Sequence, residues 1–273
     1  MKSVIDRNLA VKLAENNYFY IMHRFNVDPI SFSKEMQERG LFASISVGVK
    51  QSDYDKLYEL FGSEIYPEYI TIDIAHGHAD TVVNMIKFIK NKSPNTFLIA
   101  GNVCTKEGTK LLKNAGADCI KVGIGPGSAC ITRLKTGFSS SSWQLSAIKE
   151  CKKVAGETLI MADGGIRHNG DIAKSLVFGA DMCMIGEMLT GFDESPGKTI
   201  KNGRGEYVKE FYGSASEYNK VKKRNIEGKM IHIKVSGSIF DKLCEIREDL
   251  QSSISYAGGT DLEVFKFVEF VKV

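Results

Sequence analysis

Seven short apolar runs limit how this chain can fold: residues 18–25, 42–49, 69–75, 97–103, 119–124, 159–162 and 182–185. Most are continuous rather than alternating, as in strands buried on both faces. Between them lie amphipathic stretches at 31–39, 53–61, 80–91, 106–114, 143–154 and 170–177. One such pair every roughly 20–40 residues predicts parallel strands covered by helices, an α/β chain of barrel type. A closed (β/α)8 barrel has eight strands. The chain instead opens on a helical stretch, residues 6–16, with no strand before it. At 273 residues it fits a single barrel domain, 1–273.

Polar residues gather where the strand runs stop. Asp73, Asn102, the stretch 123–130, the stretch 163–165 and Gly186 all follow an apolar run. In a parallel barrel those ends converge on one mouth. Beyond Gly191 the pattern changes. Residues 193–207 are turn-rich and predict an exposed hairpin, and 214–229 are polar and form a candidate lid. Residues 238–253 predict a helix with Ile239, Leu243, Ile246 and Leu250 on one face, and 264–273 predict a closing strand.

Charge and cysteine usage exclude several classes. The net charge is only +3, and the sole dense basic run, KVKKR at 220–224, is too short for a nucleic-acid arm. No apolar run is long enough for a bilayer and no leader pattern opens the chain. The six cysteines form no CxxC and are not clustered with the histidines, so reduced thiols, a cytoplasmic setting and no zinc site are expected.

The stretch 121–137, KVGIGPGSACITRLKTG, carries the clearest chemical signal. Gly123, Gly125 and Gly127 allow close backbone approach to a ligand, and Pro126 stiffens the turn. Cys130 thus sits in a rigid loop at a strand end, where a thiol nucleophile is readily staged. The alternative is a small buried Cys in a tight turn; Ser128 and Thr132 beside it favour the chemical reading. Two further turns, Asp163-Gly164-Gly165 and Ile185-Gly186, precede helix-like stretches and offer backbone N–H groups to a phosphate. Ser128 adds a hydroxyl and Tyr212 a phenol. Asp163 would repel phosphate and suits a ribose diol.

KVGIGPGSACITR resembles the active-site loop of the IMP dehydrogenase/GMP reductase family. ITIDIAHGH (70–78), IAGNV (99–103), MADGGIRHNGDIAKSLVFGADMCMIGEMLTG (161–191), EFYGSAS (210–216), RNIEGK (224–229) and DLQSSISYAGGT (249–260) extend the resemblance, in family order, along nearly the whole chain. It implies a TIM barrel of which residues 1–6 look like the segment just after the first strand, so that this chain lacks that strand. Details favour the GMP-reducing members: NADPH-dependent conversion of GMP to IMP and ammonia through a thioimidate on Cys130. Thr132 and Glu227 would handle the proton. Ser128, Asp163, Gly164, Gly165, Gly186 and Tyr212 would hold the nucleotide's phosphate and ribose. Gly213, Ser214, Arg224 and Gly228 would approach the base. Asp73, Ala75 and Asn102 would line the nicotinamide side.

The resemblance also implies a monovalent cation, K+, on the carbonyls of Gly125 and Gly127, and a homotetramer. No GxGxxG fingerprint is present, so NADPH would bind the barrel mouth. Two features depart from the family pattern. Glu187 replaces a glycine in the phosphate turn, and its carboxylate would repel phosphate unless it points away. SSSSW (139–143) replaces a glycine-rich linker and is expected to be flexible. Two alternatives remain open: oxidation of IMP to XMP with NAD, disfavoured because no Arg-Tyr pair occurs within 214–229, and a non-catalytic purine-nucleotide-binding barrel.

Overall fold

The computed structural model describes residues 1–219 and 225–271. Six strands form one wholly parallel sheet: β1 (Ser44–Val47), β2 (Tyr69–Asp73), β3 (Phe97–Val103), β4 (Cys119–Val122), β5 (Leu159–Asp163) and β6 (Met182–Met184). Their spatial order is their chain order, as short right-handed crossovers dictate. The sheet curls into a partial (β/α)8 barrel. Its helices are α1 (Arg7–Glu15), α2 (Pro29–Glu38), α3 (Gln51–Gly62), α4 (Asp80–Lys92), α5 (Lys106–Ala115), α6 (Thr132–Thr136), α7 (Gln144–Ala155), α8 (Asn169–Val177) and α9 (Ile239–Tyr256).

Local signals set the helix ends. Asp6, Asp28, Thr105 and Ser238 each accept a bond from a first-turn N–H, a cap contributing about 1 kcal/mol. Pro29 stands at the start of α2, where its missing N–H costs nothing. Gly116 ends α5 at φ 109°, which a side chain would resist.

Strand alternation then sorts the side chains. Ile70, Ile72, Leu98, Ala100, Ile120, Val122, Ile160 and Ala162 face the helices and are fully buried. Together with Phe32, Met36, Leu57, Leu60, Met85 and Ile86 from the helix layer they form the main core, each large side chain contributing about 1.5–3 kcal/mol. The opposite face carries a small apolar floor of Ile99, Cys119 and Met161. On that inner face the register aligns Asp73 with Gly101 and Gly101 with Lys121.

Two expected strands are absent. Residues 18–25 run beside β1 but build no ladder. Met22 N donates to Ser44 O at 3.1 Å, and the rest is done by side chains: Ser46 Oγ donates to Met22 O at 2.6 Å and Tyr20 Oη to Phe42 O at 2.9 Å. At the other end, the described residues 264–271 of the expected closing strand form none. Asp261 caps a 3-10 turn over Leu262–Phe267 that buries Phe265, and Phe270 stacks on Phe178. The last two residues lie outside the described ones.

The hairpin expected after Gly191 is present. β7 (Thr199–Lys201), β8 (Tyr207–Tyr212) and β9 (Met230–Lys234) form a separate antiparallel sheet in the order β7-β8-β9. Buried Lys209 fastens it to the barrel, its Nζ donating to the carbonyls of Phe192 (2.8 Å) and Ser195 (2.7 Å). The end of β8 and the segment before β9 are thereby brought over the barrel mouth.

Candidate active site

The C-terminal ends of β2 to β6 open on a cavity of about 1880 Å3. Asp73, Ala75 and Asn102 line it from β2 and β3, and Gly125, Gly127, Ser128, Cys130 and Thr132 from the loop after β4. Asp163, Gly164, Gly165 and Gly186 follow from β5 and β6, and the antiparallel excursion adds Gly213, Ser214, Glu227 and Gly228. Two candidates fall elsewhere. Tyr212 lines a neighbouring cavity with Ser3 and His23, its ring centroid 5.2 Å from that of Tyr218. Arg224, with the run 220–224, lies outside the described residues.

Cys130 is held by backbone on both sides. Its N–H donates to Gly127 O at 2.9 Å, and a β-bridge joins Cys130 to Gly228. Ile131 N donates to Glu227 O at 2.8 Å and Lys229 N to Ala129 O at 2.8 Å. Gly228 is squeezed from its other side as well: a Cβ there would stand 2.9 Å from the Ser216 nitrogen. Only glycine lets the segment lie between the Cys loop and residues 214–216. This puts the Glu227 carboxylate over the thiol's neighbour. Cys130 Sγ is 3.1 Å from Thr132 Oγ1, which donates to Glu227 Oε2 at 2.6 Å. A thiol, a hydroxyl and a carboxylate in hydrogen-bonding sequence form a path for one proton. Burial pushes three buried or half-buried thiols up, Cys119 to about 12 and Cys151 and Cys183 to about 11, so they stay protonated at neutral pH.

The loop is braced from behind by the serine run, which is not the flexible linker expected. Ser140 is fully buried; its N–H donates to Ile124 O at 2.7 Å and its Oγ accepts from Ile124 N at 3.0 Å. Gln144 Nε2 donates to Val122 O at 2.8 Å. Gly125 O accepts from Ser141 Oγ at 2.7 Å and Gly127 O from Cys130 N at 2.9 Å, leaving each candidate cation-binding carbonyl its second lone pair.

Lys121, the lysine of β4, lines the mouth between Asp73 and Asp163. It is buried, with Nζ 3.2 Å from Asp73 Oδ1 and 2.8 Å from Asp163 Oδ2. Asn102 Nδ2 donates to the same Asp163 oxygen at 2.7 Å and to Gly123 O at 2.6 Å. Gly101 makes the reach possible, since a Cβ there would stand 2.6 Å from Lys121 Cβ. Burial alone would raise the Asp73 carboxyl, but the charges of Lys121 and Arg24 hold it below the usual range. Burial likewise works against the Lys121 ammonium, yet Asp163 and Asp73 raise it overall. The available signal was a lysine inside an otherwise apolar strand, CIKV, which requires a buried counter-charge.

The phosphate turns differ from expectation. Gly164 and Gly165 adopt left-handed φ of 86° and 84°, but α8 begins only at Asn169, and Gly186 opens only a three-residue 3-10 turn, Glu187–Leu189. Neither turn stands at the first residue of an α-helix, so any anion held here meets individual backbone amides and the Ser128 hydroxyl. Glu187 does not point away: Ser128 Oγ donates a hydrogen bond to its Oε2.

A model of the IMP dehydrogenase / GMP reductase domain matches residues 1–273. The chain is 58% identical over 274 residues to GMP reductase of Lactobacillus acidophilus, covering 100% of this chain and 82% of that relative. It is 55% identical over 274 residues to GMP reductase of Bacillus cereus, with 100% and 83% covered. The crystal structure of a Cys-to-Ala variant of GMP reductase from Trypanosoma brucei, in complex with guanosine 5'-monophosphate, superposes with a TM-score of 0.76 at 34% identity. That superposition covers 83% of this chain and 48% of the trypanosomal chain, about half its length. The chain belongs to the IMP dehydrogenase / GMP reductase domain family.

Proposed function

We propose that this protein is an enzyme that reduces GMP to IMP and ammonia, with NADPH as hydride donor and a covalent adduct on Cys130. The observation that carries the reading is the contiguous Cys130, Thr132 and Glu227 path at 3.1 and 2.6 Å, in a chain 58% identical to a protein named GMP reductase.

Cys130 Sγ bonds to C2 of the purine, and the electron pair of the C2–N3 double bond moves onto the ring. The exocyclic amine leaves as ammonia, carrying a proton that passes along Thr132 and Glu227; a poor leaving group needs such an acid. The C2–S thioimidate that remains accepts a hydride at C2, and the C2–S bond then breaks to return the thiolate and release IMP. NADPH supplies that hydride when bound.

The mouth fits both ligands, since about 1880 Å3 exceeds the ~300–1000 Å3 typical of a site for one small molecule. Asp163, its carboxylate oriented by Lys121 and Asn102, accepts from the ribose hydroxyls. Asp73, Ala75 and Asn102 face the nicotinamide. The Gly164-Gly165 and Gly186 turns face the phosphate. The carbonyls of Gly125 and Gly127 can add a monovalent cation through their remaining lone pairs. The six cysteines, free in the structure, suit a reducing compartment, and a homotetramer completes the proposal.

The test mixes purified protein with GMP and NADPH and follows NADPH loss and ammonia together. Equal amounts of both are expected, and none from a Cys130→Ala variant that still binds GMP. Turnover by that variant, or reduction of NAD by IMP with no reaction of GMP, would overturn the proposal.

A further inference from the structure

The phosphate end of the mouth contains a resident carboxylate. Ser128, the one hydroxyl offered there by the Cys loop, donates to Glu187 Oε2, so the donor is already engaged. Glu187 sits between Gly186 and the 3-10 turn it opens, lines the same cavity, and is neither buried nor fully exposed. Arg24, Lys50 and Lys121 also line the cavity, and none of them forms a salt bridge with Glu187. Lys121 binds Asp73 and Asp163, and Arg24 acts on Asp73. Among the described residues no salt bridge within 4.0 Å compensates Glu187.

A phosphate dianion entering this cradle meets a like charge in a partly desolvated cleft, where such repulsion is strong. It must also take the Ser128 hydroxyl from a carboxylate, a charge-assisted bond stronger than a neutral one. A nucleoside bears none of these costs, because its 5'-hydroxyl can donate to Glu187.

Resting on the nucleotide reading above, we propose that Glu187 is a specificity-determining residue. It spends the phosphate-directed donor Ser128 on itself and so narrows the preference of this site for the nucleotide over the nucleoside. Binding is then carried by the base and ribose contacts, and the 5'-phosphate adds little.

Calorimetric titration of GMP and guanosine into the wild-type protein, Glu187→Gln and Glu187→Ser tests this without relying on turnover. In the wild type the two dissociation constants should differ by less than about tenfold. In both variants the guanosine-to-GMP ratio should rise at least tenfold, because a neutral residue frees Ser128 and removes the repulsion. Binding of both ligands with a ratio changed less than twofold in both variants would overturn this inference alone. Failure of both ligands to bind any of the three proteins would overturn the nucleotide reading and this inference with it.

Discussion

Replacing Lys121 by Met removes the one ammonium shared by two partly buried acids. Its Nζ stands 2.8 Å from Asp163 and 3.2 Å from Asp73, and its side chain is only 5% exposed. At an effective dielectric constant of about 20 each contact is worth roughly 5–6 kcal/mol of attraction before desolvation is counted. Desolvation offsets most of that, and breaking a pair whose ammonium is buried costs about 3–5 kcal/mol, since Asp73 is left with the charge of Arg24 and Asp163 with the Asn102 hydrogen bond. For a chain whose whole stability is about 5–15 kcal/mol, this predicts a fall in melting temperature of roughly 6–20 °C. Guanidinium titration and calorimetry measure it. The deficit should shrink toward pH 4: without Lys121, burial pushes the Asp73 carboxyl up, and the variant's stability is lost as pH rises through it. The double variant Lys121→Met, Asp73→Asn removes one stranded charge and should recover about half the loss. A single variant within 1 kcal/mol of wild type, or a double variant as unstable as the single, would refute the argument.

Glu227→Gln leaves the Thr132 contact but removes the acid, and should lower turnover with GMP by about 100- to 10,000-fold while GMP binding persists; an unchanged rate in a steady-state NADPH assay would move the proton donor elsewhere. Gly123→Ala would set a Cβ 2.0 Å from the Asp163 carbonyl oxygen at φ 148°, so a loss above about 2 kcal/mol is expected by urea titration; a loss below 0.5 kcal/mol would contradict that close approach. Burial lowers the His23 imidazole to about 4, so the unfolded chain binds the extra proton first. Stability should therefore fall as pH drops from 6.5 toward 4, most cleanly above 4.5 where carboxylates contribute little. A His23→Gln variant should flatten that slope, and an equal slope in both proteins would exclude His23 as its source.

The sheet was legible because continuous apolar runs can hardly be anything but buried strands when helical stretches separate them. Residues 97–103 match β3 from end to end. Residues 18–25 have the same composition, yet hydroxyls of Tyr20 and Ser46 replace the ladder there, and nothing in a propensity pattern foretells that exchange. At the C-terminus a short alternation suggested a strand, while the Asp261 cap decided for a turn. Within the site, loop positions were readable from glycine and thiol chemistry. The partners of Lys121 and Glu187 were not, because both depend on inter-strand register and on which way a side chain turns.

Glu227 to Lys229 supply two things from one three-residue stretch: the roof over the Cys130 loop and the carboxylate that completes its proton path. These arrive and depart together. Under the reaction proposed above, any opening of this stretch that admits bulk water would also take the acid away from the thiol. A covalent adduct of the kind proposed would then meet water only without its acid, which disfavours its loss to hydrolysis. In the proposed reaction, fidelity to reduction over hydrolysis would need no separate gate; it would follow from where one glutamate sits in the chain.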